Sequence, residues 1–245
     1  ILNAMLTWSL RNADEVACVS SSERDDAITF AKLDPANVSV TLNAAKTFEN
    51  HELSAPEEFD GAERPIIVCA GRLAPQKDMP TAIRAFSILL QRRPARLLIA
   101  GDGPLRGEIE QLIASLGLGE HVQLLGYRPD IQRYVANADV LLLTSLYEGF
   151  PNVIAEALRV GTNVVATDAP GGAYEILGGG AFGFLAPVGD VEAVAEALGK
   201  ALDGPFDAGA LMARASDFDI SRISRNYLAA FERALGRRVP SNDRA

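Results

Sequence analysis

Residues 138–168 have the sequence ADVLLLTSLYEGFPNVIAEALRVGTNVVATD, which contains a complete strand–loop–helix–strand pattern. Asp139–Thr144 and Asn163–Thr167 are almost continuously apolar or β-branched, as is typical of strands covered on both faces. Between them, Asn152–Val160 has the apolar spacing of an amphipathic helix, and Asn152 can cap its start. We therefore predict a βαβ unit with two parallel strands.

The same alternation continues on both sides of this unit. Six further strands are predicted at Glu15–Ser20, Val38–Thr41, Pro65–Ala70, Arg96–Ala100, His121–Gly126 and Phe182–Ala186. Helices are predicted at Leu2–Asn12, Ser22–Lys32, Asp78–Arg92, Pro104–Leu116, Asp130–Ala138, Asp190–Leu202 and Ile220–Leu235, the last with Ile223, Tyr227, Leu228 and Phe231 on one face. This order predicts an α/β fold with a doubly wound, Rossmann-like parallel sheet.

One stretch interrupts the alternation and suggests a domain boundary. Residues 43–64 are polar, contain proline and glycine and show no clear period, so we predict an interdomain linker there. Residues 1–42 are expected to be the tail of a first α/β domain, and residues 65–218 a nearly complete second one. Residues 219–245 are predicted to form a C-terminal helix and a frayed tail. Since the chain begins at Ile1, we expect it to be part of a longer protein.

Composition excludes several classes of protein. The chain carries 23 Lys and Arg residues against 32 Asp and Glu, a net charge of −9, which disfavours a broad nucleic-acid-binding surface. Two cysteines and two histidines, scattered along the chain, give neither a disulfide framework nor a zinc-binding spacing. No apolar run approaches the roughly 18 residues of a membrane span. We expect a reducing, cytoplasmic compartment and no metal.

Two loops that follow predicted strands carry candidate phosphate ligands. Residues 71–78 include Arg72 and Lys77, whose planar and compact positive charges suit a diphosphate; two solvated cations are the alternative. Residues 101–106 nearly match the dinucleotide pattern G-x-G-x-x-G, but Arg106 replaces the last glycine and disfavours a dinucleotide site. A simple tight turn is the other interpretation of that loop.

Two further loops contain glycine and carboxylates. In residues 145–156 the start of a helix can bind an anion, while Glu148 and Glu156 lie about 12 Å apart if helical, too far to act on one bond. They can hold hydroxyls at the two ends of a long ligand, or they are two surface glutamates. Residues 167–175 lead from a predicted strand into a predicted short helix, and Gly171 and Gly172 there allow close approach of a ligand or form only a mobile connection.

Together these segments resemble the signature of family 4 (group 1) retaining glycosyltransferases. The match rests on Glu148 and Glu156 at the E-x7-E spacing, and on residues 71–78, 101–104, 126–127 and 161–168 in the family's order. The resemblance implies a GT-B architecture, in which two Rossmann-like domains face a cleft and the C-terminal one binds the donor. It implies a retaining hexosyltransferase that uses a nucleotide-diphosphate sugar and requires no cofactor or metal.

The resemblance also implies roles for individual residues. Arg72 and Lys77 would neutralise the donor diphosphate, Glu148 would bind donor-sugar hydroxyls and Glu156 would accept hydrogen bonds from ribose. The remaining donor-binding residues implied are Gly71, Gly101, Tyr127, Arg128, Gly149, Phe150, Asn152 and Val153, with Tyr127 and Arg128 beside the base. The acceptor would attack from the front face, without a protein nucleophile. Asn163, Ala173 and Leu42 depart from residues common in the family, and they affect local shape more than charge.

The acceptor implied is a glycan or a lipid-linked molecule, and the missing first domain would make any peripheral contact with the cytoplasmic face of a membrane. We expect the fragment to bind a nucleotide sugar but to be inactive alone. Two alternatives share the same cleft: a sugar-nucleotide epimerase or glycogen-synthase-like enzyme, and a non-catalytic partner subunit. A dinucleotide-dependent oxidoreductase is disfavoured by Arg106.

Overall fold

The computed structural model describes residues 2–48, 53–61, 64–204 and 207–238. Its main feature is a six-stranded, entirely parallel sheet with the strand order β5-β4-β3-β6-β7-β8. The strands are β3 (Ile66–Ala70), β4 (Arg96–Ala100), β5 (Val122–Gly126), β6 (Val140–Leu143), β7 (Asn163–Thr167) and β8 (Phe184–Ala186). The predicted α/β class and parallel sheet are therefore confirmed.

Alternate residues of each strand bury into two different cores, one on each face of the sheet. In β3, Ile67 and Cys69 belong to one core while Ile66 and Val68 belong to the other. The flanking helices are α3 (Met79–Leu90), α4 (Arg106–Ser115), α5 (Ile131–Asn137), α6 (Asn152–Arg159), α7 (Ala173–Ile176), α8 (Val191–Asp203) and α9 (Ala208–Ala215). Burial on both faces explains why these strands are continuously apolar in sequence.

The N-terminal residues form a smaller unit beside this sheet. It contains α1 (Leu2–Arg11), β1 (Val16–Cys18), α2 (Ser21–Ala31) and β2 (Val38–Val40), with β1 and β2 paired in parallel. The carboxylate of Glu175 accepts hydrogen bonds from the Ser21 amide (3.0 Å) and hydroxyl (3.2 Å), which joins the start of α2 to α7. The small unit is thus attached to the larger one near the carboxyl ends of the strands.

The C-terminal helix α10 (Ile220–Arg238) also returns to the small unit, where Arg233 pairs with Glu15 at 2.8 Å. Its buried face differs from the prediction. Ile223 is buried as expected, but Leu228 and Phe231 are 60% and 62% exposed, and Ala230 is buried instead. The helix thus faces the protein along a row that includes Ile223 and Ala230, because the surface on which it packs, and not its own periodicity, decides which row is buried.

The predicted linker packs against the second unit where it is described. Ala45 and Phe59 are buried in the core that contains Ile66 and Val68 of β3, and the Ala45 amide donates to the Phe218 carbonyl at 2.9 Å. Residues 49–52 and 62–63 of this linker, and the predicted tail beyond residue 238, lie outside the described residues. The sequence pattern predicted, without bounds, a short helix after the glycine-rich loop of residues 167–175, where the structure has α7, but it did not predict α9. Among the described helices, none has the length and apolar content of a membrane crossing.

Candidate functional site

The candidate site lies where the direction of the chain through the sheet changes. From β3 the chain moves outward to β4 and β5, and it then crosses back to place β6 on the other side of β3. The loops that follow β3 and β6 consequently diverge and leave a crevice at the carboxyl end of the sheet, which is where open α/β sheets bind ligands. We call residues 71–78 the β3 loop and residues 144–151 the β6 loop.

Hydrogen bonds join the β3 loop to the β6 loop. The Thr144 hydroxyl donates to the Asp78 carbonyl at 2.9 Å, and the Leu146 amide donates to the Gln76 carbonyl at 2.8 Å. The Gln76 side-chain amide donates to the Tyr147 carbonyl at 2.9 Å. These bonds fix the relative position of two segments that lie about 70 residues apart in the chain.

This junction brings Lys77 and Glu148 into direct contact. Lys77 Nζ donates to Glu148 Oε1, and the Ser145 hydroxyl donates to the same oxygen at 2.5 Å. Both side chains of the ion pair are largely buried. The predicted cation and the predicted sugar-binding carboxylate thus form one ion pair. Among the described residues, no further partner contacts the second oxygen of Glu148 or the two other N–H groups of Lys77, so these groups can bind a ligand.

Two glycines allow the loops to pack backbone against backbone. A Cβ on Gly101 would lie 1.8 Å from the Gly71 carbonyl oxygen, and a Cβ on Gly171 would lie 1.9 Å from the Glu148 carbonyl oxygen. Both residues also have a positive φ, 151° and 124°, which side chains disfavour. The first contact brings the loop after β4 against the β3 loop, and the second supports the β6 loop from behind.

The start of α6 supplies backbone donors to the crevice. The helix begins at Asn152 after Pro151, and no side chain caps it, so the predicted capping by Asn152 is wrong. The Asn152 side-chain oxygen instead accepts a hydrogen bond from the Asn43 side-chain amide at 3.3 Å. Throughout the described ranges, no protein acceptor is found for the amides of Asn152 and Val153. Free amides and the positive end of the helix dipole favour an anion at this position.

These groups surround one cavity of about 700 Å³. Ten of the twelve predicted site residues line it: Gly71, Arg72, Lys77, Gly101, Tyr127, Arg128, Glu148, Phe150, Asn152 and Val153. The Arg72 side chain is exposed and forms no ion pair with any described residue. The volume of the cavity and its mixture of apolar and convergent polar groups are typical of a small-molecule site.

Gly149 and Glu156 are the two predicted residues outside this lining. A Cβ on Gly149 would lie 2.9 Å from a carboxylate oxygen of Glu23, so this glycine faces the N-terminal unit. Glu156 is partly buried about one turn into α6. These two residues are therefore not part of the cavity lining, and their predicted ligand contacts stay predictions.

Burial raises the pKa of Glu156, while the nearby Lys46 acts in the opposite direction. Because the folded protein retains this proton to higher pH than the unfolded chain does, stability falls as the pH rises from the ordinary pKa of 4.5 through the raised value. We expect Glu156→Gln to be more stable than wild type at neutral pH and to lose that advantage in acid. Urea unfolding against pH measures this difference. Glu120→Gln, at an exposed position outside the helices, serves as the control, and equal curves for Glu156→Gln and wild type would contradict the expectation.

Sequence reasoning missed three residues that hold the site together. Ser145 lies three positions before Glu148 in a segment that the sequence analysis had selected, so this spacing could have predicted a hydrogen bond between the two side chains. Gln76 lies beside Lys77 but had no distinguishing pattern. Glu58, which contacts Arg128 at 2.7 Å, lies in the predicted linker 70 positions away, and nothing local marks it.

Comparison with known proteins gives a consistent result. Residues 52–217 match the family model described as glycosyl transferases group 1. An N-acetylgalactosamine-N,N'-diacetylbacillosaminyl-diphospho-undecaprenol 4-alpha-N-acetylgalactosaminyltransferase of Campylobacter jejuni is 30% identical over 220 residues, which cover 88% of this chain and 59% of that protein. A 2-deoxystreptamine glucosyltransferase of Streptomyces kanamyceticus is 27% identical, covering 97% of this chain and 65% of that protein. The chain therefore spans about three fifths of these relatives' length.

A solved glycosyltransferase-like fold also superimposes on this chain. Anabaena Alr3699/HepE, determined in complex with UDP and glucose, superimposes with a TM-score of 0.82 at 26% identity. The similarity covers 94% of this chain and 66% of the Anabaena chain.

Proposed function

The chain belongs to the group 1 glycosyltransferases, and on that premise we propose that it binds a nucleotide-diphosphate sugar in the cavity between the β3 and β6 loops. The sugar then passes to a glycan or lipid-linked acceptor with retention of the anomeric configuration. The observation that carries the proposal is the convergence of Arg72, Lys77 and the free amides of α6 on one cavity. UDP and glucose bound by the Anabaena relative support a donor of this class.

The chemistry suits this arrangement. Cleavage of the bond between the anomeric carbon and the phosphate oxygen leaves both bonding electrons on the diphosphate, whose negative charge grows in the transition state. Arg72, Lys77 and the amides of Asn152 and Val153 would stabilise that charge where it develops. Since Lys77 and the two amides are held in position before the ligand binds, these donors need no large reorganisation.

In the proposal, Lys77 and Glu148 contact different parts of the ligand. Glu148 accepts hydrogen bonds from donor-sugar hydroxyls through its second oxygen, while Lys77 directs its remaining N–H groups to the diphosphate. The acceptor hydroxyl attacks the anomeric carbon from the face that the diphosphate leaves, and its proton passes to the departing phosphate oxygen. No protein nucleophile is required.

The acceptor side of the proposal depends on residues that this chain supplies only in part. The small N-terminal unit contributes a two-stranded sheet, and the relatives are longer than this chain. We propose that residues 1–245 bind the donor and transfer little or no sugar. An epimerase is separated from a transferase by product analysis, because its product is an isomer of the nucleotide sugar or of its free sugar.

A binding panel tests the proposal. UDP, GDP, ADP and their glucose derivatives are titrated against residues 1–245 by calorimetry, and we expect at least one pair to bind. Glu148→Gln should weaken the nucleotide sugar about tenfold through loss of a charge-assisted hydrogen bond, and the matching diphosphate less. The exposed Glu108→Gln serves as the control. Absence of binding by every nucleotide, or an equal loss for sugar and diphosphate in Glu148→Gln, would contradict the proposed assignment.

A further inference from the structure

Part of the interdomain segment is fixed on α5, the helix that follows the loop containing Tyr127 and Arg128. Arg133 Nε donates to the Ser54 carbonyl at 2.9 Å, and Asn137 Nδ2 donates to the Leu53 carbonyl at 2.8 Å. The Phe59 ring lies 6.1 Å from the Tyr134 ring, centroid to centroid. We call residues 53–61 the linker segment; its position relative to the cavity is set by these contacts.

The linker segment places one carboxylate against the cavity wall. Glu58 Oε1 accepts hydrogen bonds from Arg128 Nη2 at 2.7 Å and from the Tyr134 hydroxyl at 3.0 Å. The Arg128 guanidinium carbon also lies 5.5 Å from the centre of the Tyr134 ring. Burial, followed by the bond to Glu58, raises the pKa of Tyr134 to about 12, so its hydroxyl remains a donor to Glu58. Arg128 is thus held by an ion pair and an aromatic face.

These contacts distinguish Arg128 from the other cations of the cavity. Its charge is balanced by Glu58, whereas Arg72 has no ion-pair partner among the described residues and Lys77 pairs with Glu148. Arg128 is therefore less suited to meet a diphosphate. It lies beside Tyr127, which is 77% exposed and can stack on a base. Among the described residues, Glu58 is the acceptor found for the Arg128 guanidinium, so other N–H groups at its terminal nitrogens remain for a ligand, whereas its Nε is buried and cannot contact one.

A guanidinium has N–H donors and no acceptor, so it recognises acceptors on a base edge. Uracil and guanine present exocyclic carbonyl oxygens. In adenine the exocyclic amino group lies beside the ring acceptors N1 and N7, so it would face one arm of the guanidinium donor to donor. We propose that Glu58 is a positioning residue that holds Arg128 as a fixed donor for the base, so that the site prefers uracil or guanine nucleotides over adenine nucleotides. This inference rests on the proposed function.

The test compares nucleotides with inorganic pyrophosphate on residues 1–245. UDP, GDP, ADP and pyrophosphate are titrated by calorimetry into wild type, Glu58→Ala, Glu58→Gln and Arg128→Ala. In wild type we expect UDP or GDP to bind at least tenfold more tightly than ADP. Glu58→Ala and Arg128→Ala should reduce that ratio to about threefold or less, with pyrophosphate affinity unchanged within twofold. Glu58→Gln should restore the preference, because its amide oxygen still accepts from both partners.

Glu57→Ala provides a matched control, since Glu57 is the exposed neighbour of Glu58 on the same short helical turn, Glu57–Phe59. The positioning role is overturned if Glu58→Ala leaves the base preference intact, or if it weakens all four ligands equally, as a general loss of structure would. Equal affinity of wild type for ADP and the oxo-base nucleotides overturns the base preference and leaves the proposed function standing. Absence of nucleotide binding by wild type overturns the proposed function itself.

Discussion

Arg72→Ala is expected to weaken binding of a nucleoside diphosphate tenfold to a hundredfold. Arg72 lines the cavity with its guanidinium exposed and without an ion-pair partner among the described residues, so no internal bond has to break before it meets a phosphate. Hydrogen bonds to charged groups contribute about 1.5–3 kcal/mol each, which corresponds to that range of affinity. The effect should extend to inorganic pyrophosphate, because Arg72 is assigned to the phosphates.

Calorimetric titration with the preferred nucleoside diphosphate measures this loss. Arg84→Ala is the matched control, since Arg84 is an exposed arginine on α3 outside the cavity lining. The loss should also shrink as salt rises, because Arg72 is exposed to solvent. Unchanged affinity in Arg72→Ala, or an equal decrease in Arg84→Ala, would remove Arg72 from the diphosphate site.

Gly101→Ala is expected to destabilise the fold by about 2–4 kcal/mol. The added Cβ would lie 1.8 Å from the Gly71 carbonyl oxygen, and the residue has a φ of 151°. The obstacle is backbone and cannot rotate away, so the loop after β4 must separate from the β3 loop. We also expect nucleotide affinity to fall, because the separation displaces one wall of the cavity.

Urea unfolding of Gly101→Ala and wild type gives the free-energy difference. Gly107→Ala provides the opposite control: Gly107 lies exposed in α4, and a Cβ there meets nothing within 4 Å. Alanine should stabilise that helix by a few tenths to 1 kcal/mol. If Gly101→Ala loses less than 1 kcal/mol, the close backbone contact between the two loops is not maintained in solution.

The fold was predictable because each strand has a strong local signature. Arg96–Ala100 and Asn163–Thr167 were predicted with the bounds that the structure has, and the other strands differ by one or two residues at one or both ends. A strand buried on both faces is apolar at most of its positions, which leaves a nearly unbroken apolar run in the sequence. Short helices such as α7, with four residues, have too few turns to show a period.

The helix α10 shows where this reasoning fails. Leu228 and Phe231 share a helical face with Ile223 in a simple periodic analysis, yet the protein contacts the neighbouring row through Ala230. Hydrophobicity alone favours burial of the larger side chains, yet the smaller Ala230 is the residue that is buried. The choice between these rows depends on the shape of the partner surface, which the helix sequence does not contain.

The sequence by itself determined the parallel α/β architecture and the chemistry present at the strand ends: cations after β3, a carboxylate after β6 and a helix that begins near Asn152. Only the tertiary structure decided how those groups are used. It paired Lys77 with Glu148, left Arg72 exposed and tied Arg128 to Glu58 across 70 residues of chain. The physical reason is that local sequence sets backbone conformation and burial, whereas a charge's partner depends on which loops the sheet order brings within a few ångströms.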